Sequence, residues 1–278
     1  PPMKRLLDRH LGDGWLTRAD DPATWEAVDG ISDTELWDAR TESRRLLVDF
    51  IRERSASDRL RRGEPTGYAE AAQVGFDPER LTIGFARRLA AYKRLNLLTH
   101  DPERALGLLT GDPSVQFVFA GKAHPLDEGA KAILSRAFEL KGAPLVADHV
   151  AFLEDYDLSF AGQLVGGCDL WVNVPRPPEE ASGTSGMKAA INGALNLSVL
   201  DGWWAEAYDG GNGWAIDGET DHDHDAQDAR HAGALYDLLE QQVVPLFQER
   251  TPEGIPVAWL AMVLNSLKTN GPRFSATR

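Results

Sequence analysis

Cysteine is almost absent from this sequence: among 278 residues there is one, Cys168. A single thiol excludes an internal disulfide and fits a reducing compartment. It lies in the apolar run GCDLWVNVP, which suits a buried structural thiol better than a nucleophile. Long hydrophobic runs are missing too, so no segment is read as a bilayer span, and none reads as a signal peptide. The expected location is the cytoplasm. Positive charge is scarce. Twenty-nine Lys and Arg face 43 Asp and Glu, for a net charge of −14. That balance excludes a general nucleic-acid or membrane surface but leaves room for local anion-binding patches. There are no internal repeats and no low-complexity tail.

What is present is enough apolar material for a real core, with 42% hydrophobic residues, as one large domain or two small ones. The first third reads as helix. In ISDTELWDARTESRRLLVDFIRER, Ser32 and Glu35 have capping-box spacing, and Leu36, Leu47, Phe50 and Ile51 share a helical face. From Leu81 the pattern changes. LTIGFARR, VQFVFAGK, LVADHVAFL, DLWVNVP and LNLSVLDG are short strand-like runs, separated by helical candidates near 101–110, 125–140, 157–166 and 186–195. This alternation predicts an α/β fold, a doubly wound parallel Rossmann-like sheet. HAGALYDLLEQQVVPLFQER and VAWLAMVLNSLK are amphipathic and are expected to cover it. The expected division is a helical lead-in over 1–78 and a Rossmann-like lobe over 79–278. In such sheets ligands sit beyond the C-terminal strand ends, which selects the loops after each predicted strand.

Two of those loops carry the chemistry. EEASGTSGMKAAINGAL, Glu179 to Leu195, runs from two acids through very small residues to a lysine, Lys188, and an alanine-rich helix. Small residues let backbone approach a ligand, and the helix start near Thr184 and Ser185 favours an anion. GFARRLAAYKRLNLLTH, Gly84 to His100, holds Arg87, Arg88, Lys93 and Arg94 and no acid. Such a cationic island after a strand reads as an anion clamp, with arginine gripping phosphate oxygens and lysine adding a point charge.

The two stretches together resemble the α-glucan phosphorylases (glycogen, maltodextrin or starch phosphorylases), through EASGTSGMK at 180–188, RRLAAYKR, FVFAGKAHP, FLEDYDLSFA and NGALNLSVLDG in the same order. The tryptophan pair after LDG and the PLFQER segment look more like the shorter bacterial branch. The resemblance implies the C-terminal lobe of a two-lobe glycosyltransferase of the GT-B type. That enzyme uses inorganic phosphate to release glucose 1-phosphate from α-1,4-glucan ends with retention of configuration. Lys188 would form a Schiff base with pyridoxal 5'-phosphate, whose own phosphate acts as the acid–base group. Thr184, Ser185 and Arg87 would hold that phosphate. Arg88 and Lys93 would hold the substrate phosphate, and Glu180, Ser182 and Gly183 would bind the terminal glucose. No metal is implied. The N-terminal lobe is the expected missing partner, so the isolated chain is expected to be inactive, and its open cleft face leaves room for a homodimer. Where the animal enzymes carry an arginine that contacts the cofactor phosphate, this sequence has Asp157. Two other readings stay open: a nucleotide-sugar glycosyltransferase lobe with a similar Arg–Lys clamp, and a non-catalytic sugar-phosphate or glucan binding domain.

Weaker signals are Tyr156 and His124 at strand ends, and the DHDHD run at 221–225, which reads as a polar loop before a helix. Trp203 and Trp204 could either line a sugar site or simply pack.

Overall fold

A computed structural model describes residues 1–87, 90–122, 126–128, 131, 135, 146–154 and 156–275. Among them, six parallel strands form one sheet: β1 (Thr82–Ala86), β2 (Gln116–Ala120), β3 (Val150–Leu153), β4 (Leu170–Asn173), β5 (Leu195–Val199) and β6 (Gly213–Ile216). Their order is β3-β2-β1-β4-β5-β6, the doubly wound order with its topological switch between β1 and β4. The five expected strands are present. GWAI, the sixth, was not expected.

The first four strands alternate between two apolar layers, whereas the second face of β5 carries Asn196 and Ser198. Ile83, Phe85, Phe117, Phe119, Leu170 and Val172 face one core, while Ala86, Val118, Ala120, Leu153 and Trp171 face the other. Burial on both faces explains why these strands read as continuous apolar runs.

The first core is closed by α1 (Pro2–Leu11) and the short α2 (Pro22–Glu26), and later in the chain by other helices given below. The second is closed by α3 (Asp33–Arg61), whose Leu47 and Ile51 are buried there, while α4 (Thr66–Ala71) follows on its flank. The expected capping box forms: Ser32 Oγ accepts from the Glu35 amide at 3.3 Å, and the Glu35 carboxylate accepts from the Ser32 amide at 3.4 Å. Phe50 is half-buried and meets Phe160 edge-on at 5.1 Å.

At the strand N-termini, α3 contributes two fully buried arginines. Arg44 donates to Asp169 at 2.7 Å. Arg40 donates to the carbonyls of Gly166, Asn192 and Cys168 at 2.6–2.8 Å. Cys168 is buried, and that burial raises its thiol pKa, in keeping with a structural role.

The remaining helices are α5 (Pro102–Thr110), α6 (Leu158–Gly167), α7 (Thr184–Ile191), α8 (Trp203–Ala207), α9 (His224–Leu238), α10 (Val244–Gln248) and α11 (Val257–Phe274). α5, α9 and α11 complete the first face, α6 and α7 the second. α7 is shorter than the expected 186–195 segment. Asn192 closes it, Gly193 turns at φ 79°, and β5 has begun by Leu195. Most of the expected 125–140 helix lies outside the described residues. The DHDHD run is loop plus helix start: Asp223 caps α9 by accepting from the Asp225 and Ala226 amides.

Candidate active site

The loops after β1, β4 and β5 meet at the C-terminal edge of the sheet, around the switch point. After β1 the chain makes two 3-10 turns, Ala91–Lys93 and Leu95–Thr99, rather than entering an α-helix directly. Between them Arg94 takes φ 48°, a left-handed conformation uncommon for a residue with a side chain. Its side chain is locked in place. Nε donates to Val174 O at 2.9 Å, Nη2 to Pro175 O at 2.7 Å and Nη1 to Asp228 at 3.0 Å, and His231 Nδ1 lies 2.8 Å from Nη2. Arg176 joins Asp228 at 2.7 Å and its amide bonds Tyr92 O at 2.8 Å. Arg94 is thus a strut that pins the β1 loop to the β4 loop, a role the sequence did not reveal.

Two further cations of this segment, Arg87 and Lys93, share a counter-ion. Arg87 donates to Glu180 Oε2 at 2.8 Å, and Lys93 donates to the same oxygen. The three side chains are 8%, 8% and 10% exposed, so this is a nearly dry, charge-assisted cluster. The absence of acids within 84–100 was therefore a local fact only, since the counter-ion arrives from the far side of the switch point. Burial lowers the Arg87 pKa, with Glu180 opposing that shift. Two of its nitrogens, Nε and Nη1, are buried with no partner among the described residues. Burial raises the Tyr156 phenol pKa while Arg87 opposes it, so Tyr156 lies within electrostatic reach of that guanidinium. Arg88 and His124 lie outside the described residues.

Glu180 in turn abuts the start of α7. A Cβ at Gly183 would lie 3.7 Å from the Glu180 Cδ. Gly183 itself is the N-cap, at φ 88°, and no side chain caps the helix. The loop is stapled to the β5 end: Glu180 N donates to Asp201 at 2.9 Å and Trp203 N to Ser182 O at 2.8 Å. Thr184 is exposed, Ser182 and Ser185 are half-buried, and Ser185 Oγ accepts from Trp171 Nε1 at 3.3 Å. Lys188 is exposed, and its ammonium has no hydrogen bond or ion pair among the described residues. At i+4 from Thr184 it shares a helix face with that residue. Trp203 and Trp204 are buried. Trp203 meets Phe274 edge-on at 5.2 Å, and Trp204 donates to Trp214 O at 2.9 Å. They pack rather than line a sugar path. Asp157 accepts from the Phe160 amide at 3.0 Å, so its carboxylate is committed to capping α6.

The arrangement defines a class: an α/β lobe with a helix N-terminus that no side chain caps, a buried guanidinium with unpaired donors and a lysine without a partner among the described residues, features whose chemistry suits an anion. A sequence model of the carbohydrate phosphorylase family matches residues 69–231. The chain is 44% identical over 262 residues to a glycogen phosphorylase of Mycobacterium tuberculosis, covering 93% of this chain and 30% of that protein. It is 40% identical to the glycogen phosphorylase of Aquifex aeolicus, covering 99% of this chain and 40% of that one. It is also 40% identical to the maltodextrin phosphorylase of Thermococcus litoralis, with 99% and 32% coverage. The chain belongs to the carbohydrate phosphorylase family, and it spans 30–40% of the length of these relatives. Members of this family use pyridoxal phosphate.

Proposed function

We propose that this chain is the cofactor- and phosphate-binding lobe of a retaining α-1,4-glucan phosphorylase, and that a second lobe completes the cleft. The observation that carries this reading is the Arg87–Lys93–Glu180 cluster set against the uncapped start of the helix that presents Lys188. The residues fit a phosphate-bearing aldehyde cofactor. Among the described residues, Arg87 has two buried donors without partners, the helix start has no side-chain cap, and the Lys188 amine is unencumbered.

Bound pyridoxal 5'-phosphate would supply an ionisable phosphate able to pass a proton near neutrality. Lys188 tethers the cofactor. The Thr184 hydroxyl and the amides at 184 and 185 hold its anion with Arg87. Lys93, with Arg88, holds inorganic phosphate beside it. Without those cations two adjacent phosphates would repel by roughly 4 kcal/mol per charge pair at an effective dielectric of 20. Glu180 has a double part. With no anion present, its carboxylate is the counter-ion of both cations. Once phosphate takes them, that carboxylate is freed to accept hydrogen bonds from glucose hydroxyls, beside Ser182 and Gly183. Anion binding thereby primes the sugar site.

The test is phosphorolysis by a two-lobed polypeptide carrying this chain. Glucose 1-phosphate release from maltodextrin should require both inorganic phosphate and pyridoxal phosphate, and Lys188→Ala should abolish it. The 278-residue chain alone should not turn over. Transfer from a nucleotide sugar by a colourless protein would overturn the reading, as would robust turnover by the isolated chain.

A further inference from the structure

We propose that the side-chain amide of Asn173 is a ligand of the phosphate group seated at the start of α7, sharing that anion with Arg87. The proposal rests on the cofactor reading above and extends it to a residue that looks, in DLWVNVP, like an ordinary strand position.

Asn173 ends β4 and is 4% exposed. Neither its Nδ2 nor its Oδ1 has a hydrogen-bond partner among the described residues. A buried polar atom left unpaired costs about 1–3 kcal/mol, so a side chain with both ends unpaired is an exception that requires a cause.

The strand geometry says where the amide points. Val172 and Val174 face the first core, and Trp171 faces the second. Asn173 shares the Trp171 face by the two-residue alternation. The Trp171 indole reaches Ser185, the second residue of α7. Asn173 stands one pleat further along, roughly 6.6 Å nearer the ligand edge, where α7 begins.

Its neighbours on that face leave it unpaired among the described residues. Ser198, opposite on β5, donates its hydroxyl to Val199 O at 3.0 Å. On the other side the β1–β4 register, Gly84 opposite Trp171, brings Ala86 alongside, immediately before Arg87. Arg87 Nε and Nη1 are likewise buried and unpaired. Unpaired donors therefore gather at the switch point beside an open helix N-terminus. That set calls for an acceptor-rich anion. The amide adds an acceptor of its own, which suits a group that both accepts and donates. A phosphate monoester does so near neutrality, with its second pKa at about 6.

Equilibrium dialysis of the chain against pyridoxal phosphate and, separately, pyridoxal tests this. Asn173→Leu should weaken pyridoxal phosphate binding about tenfold or more while changing pyridoxal binding less than about twofold. The isosteric Asn173→Asp, which sets a carboxylate against the phosphate, should weaken it further and serves equally if the leucine variant fails to fold. Unchanged affinity for pyridoxal phosphate in both variants would overturn the proposal. Equal loss for the two aldehydes would also overturn it, since that is the mark of a purely structural asparagine. A parent chain that binds neither aldehyde would sink the cofactor reading first, and this ligand with it.

Discussion

Replacing Glu180 by glutamine removes one charge and almost no volume from the dry cluster at the switch point. Arg87 and Lys93 then remain buried without a counter-ion among the described residues. Two cationic nitrogens that share one oxygen lie within about 5 Å of each other, where their repulsion at an effective dielectric of 20 is on the order of 3 kcal/mol. That figure agrees with the roughly 3–5 kcal/mol lost when one partner of a buried pair is removed. At about 2–4 °C per kcal/mol for a protein near this size, Glu180→Gln should lower the melting temperature by roughly 6–12 °C in low-phosphate buffer. The same change should open the anion seat. Inorganic phosphate at one hundred times its dissociation constant stabilises by about 2.7 kcal/mol. Phosphate should therefore restore most of the lost stability, and should raise the variant's melting temperature by more than the parent's. Thermal melts in phosphate and in chloride at matched ionic strength measure both effects. A variant that melts within about 2 °C of the parent would refute the cluster's electrostatics. Equal phosphate responses in the two proteins would refute Glu180 as the internal occupant of an anion site.

Other expectations follow from named contacts. Arg40→Met should destabilise by about 3–5 kcal/mol in urea unfolding, because three backbone carbonyls, at the ends of α6 and α7 and at Cys168, lose their donor together. Gly186→Ala should cost about 1–3 kcal/mol by overpacking and weaken pyridoxal phosphate uptake. The added methyl would stand 2.7 Å from Asn196 Oδ1 and 2.8 Å from Trp203 Nε1, pushing the first turn of α7 off the sheet. The His231 pKa lies below its ordinary value of 6.5, through burial and then the nearby Arg94. The unfolded chain therefore binds a proton there more readily than the folded one. Stability should be fully present above about pH 6.5 and fall as pH drops towards the lowered folded-state value. Unfolding measured at pH 7.5 and 5.5 should show this loss, and His231→Gln should reduce it.

Local chemistry was legible where it acts locally. The five strands announce themselves as short apolar runs because both faces of a parallel sheet are buried, and Ser32 with Glu35 marks the start of α3. β6 escaped notice because GWAI is brief and opens on a glycine at φ 150°. The end of α7 was written in Asn192-Gly193, a left-handed stop of the kind glycine provides, but the alanine-rich run on either side of it obscured the signal. Pairings across the switch point could not be read, since Glu180 lies 93 residues from Arg87 and 87 from Lys93. Arg94 shows the same limit. In the sequence it is one more cation of the island, whereas in the fold it is spent on two carbonyls and Asp228. Asn173 was invisible for the opposite reason, because what distinguishes it is the lack of a partner among the described residues.

The central claim is tested most directly by incubating the chain with pyridoxal 5'-phosphate, reducing with borohydride and mapping the product by mass spectrometry. A single pyridoxyl label on Lys188, absent in Lys188→Ala, is the predicted result. No label, or a label spread over other lysines with Lys188 unmodified, would contradict it.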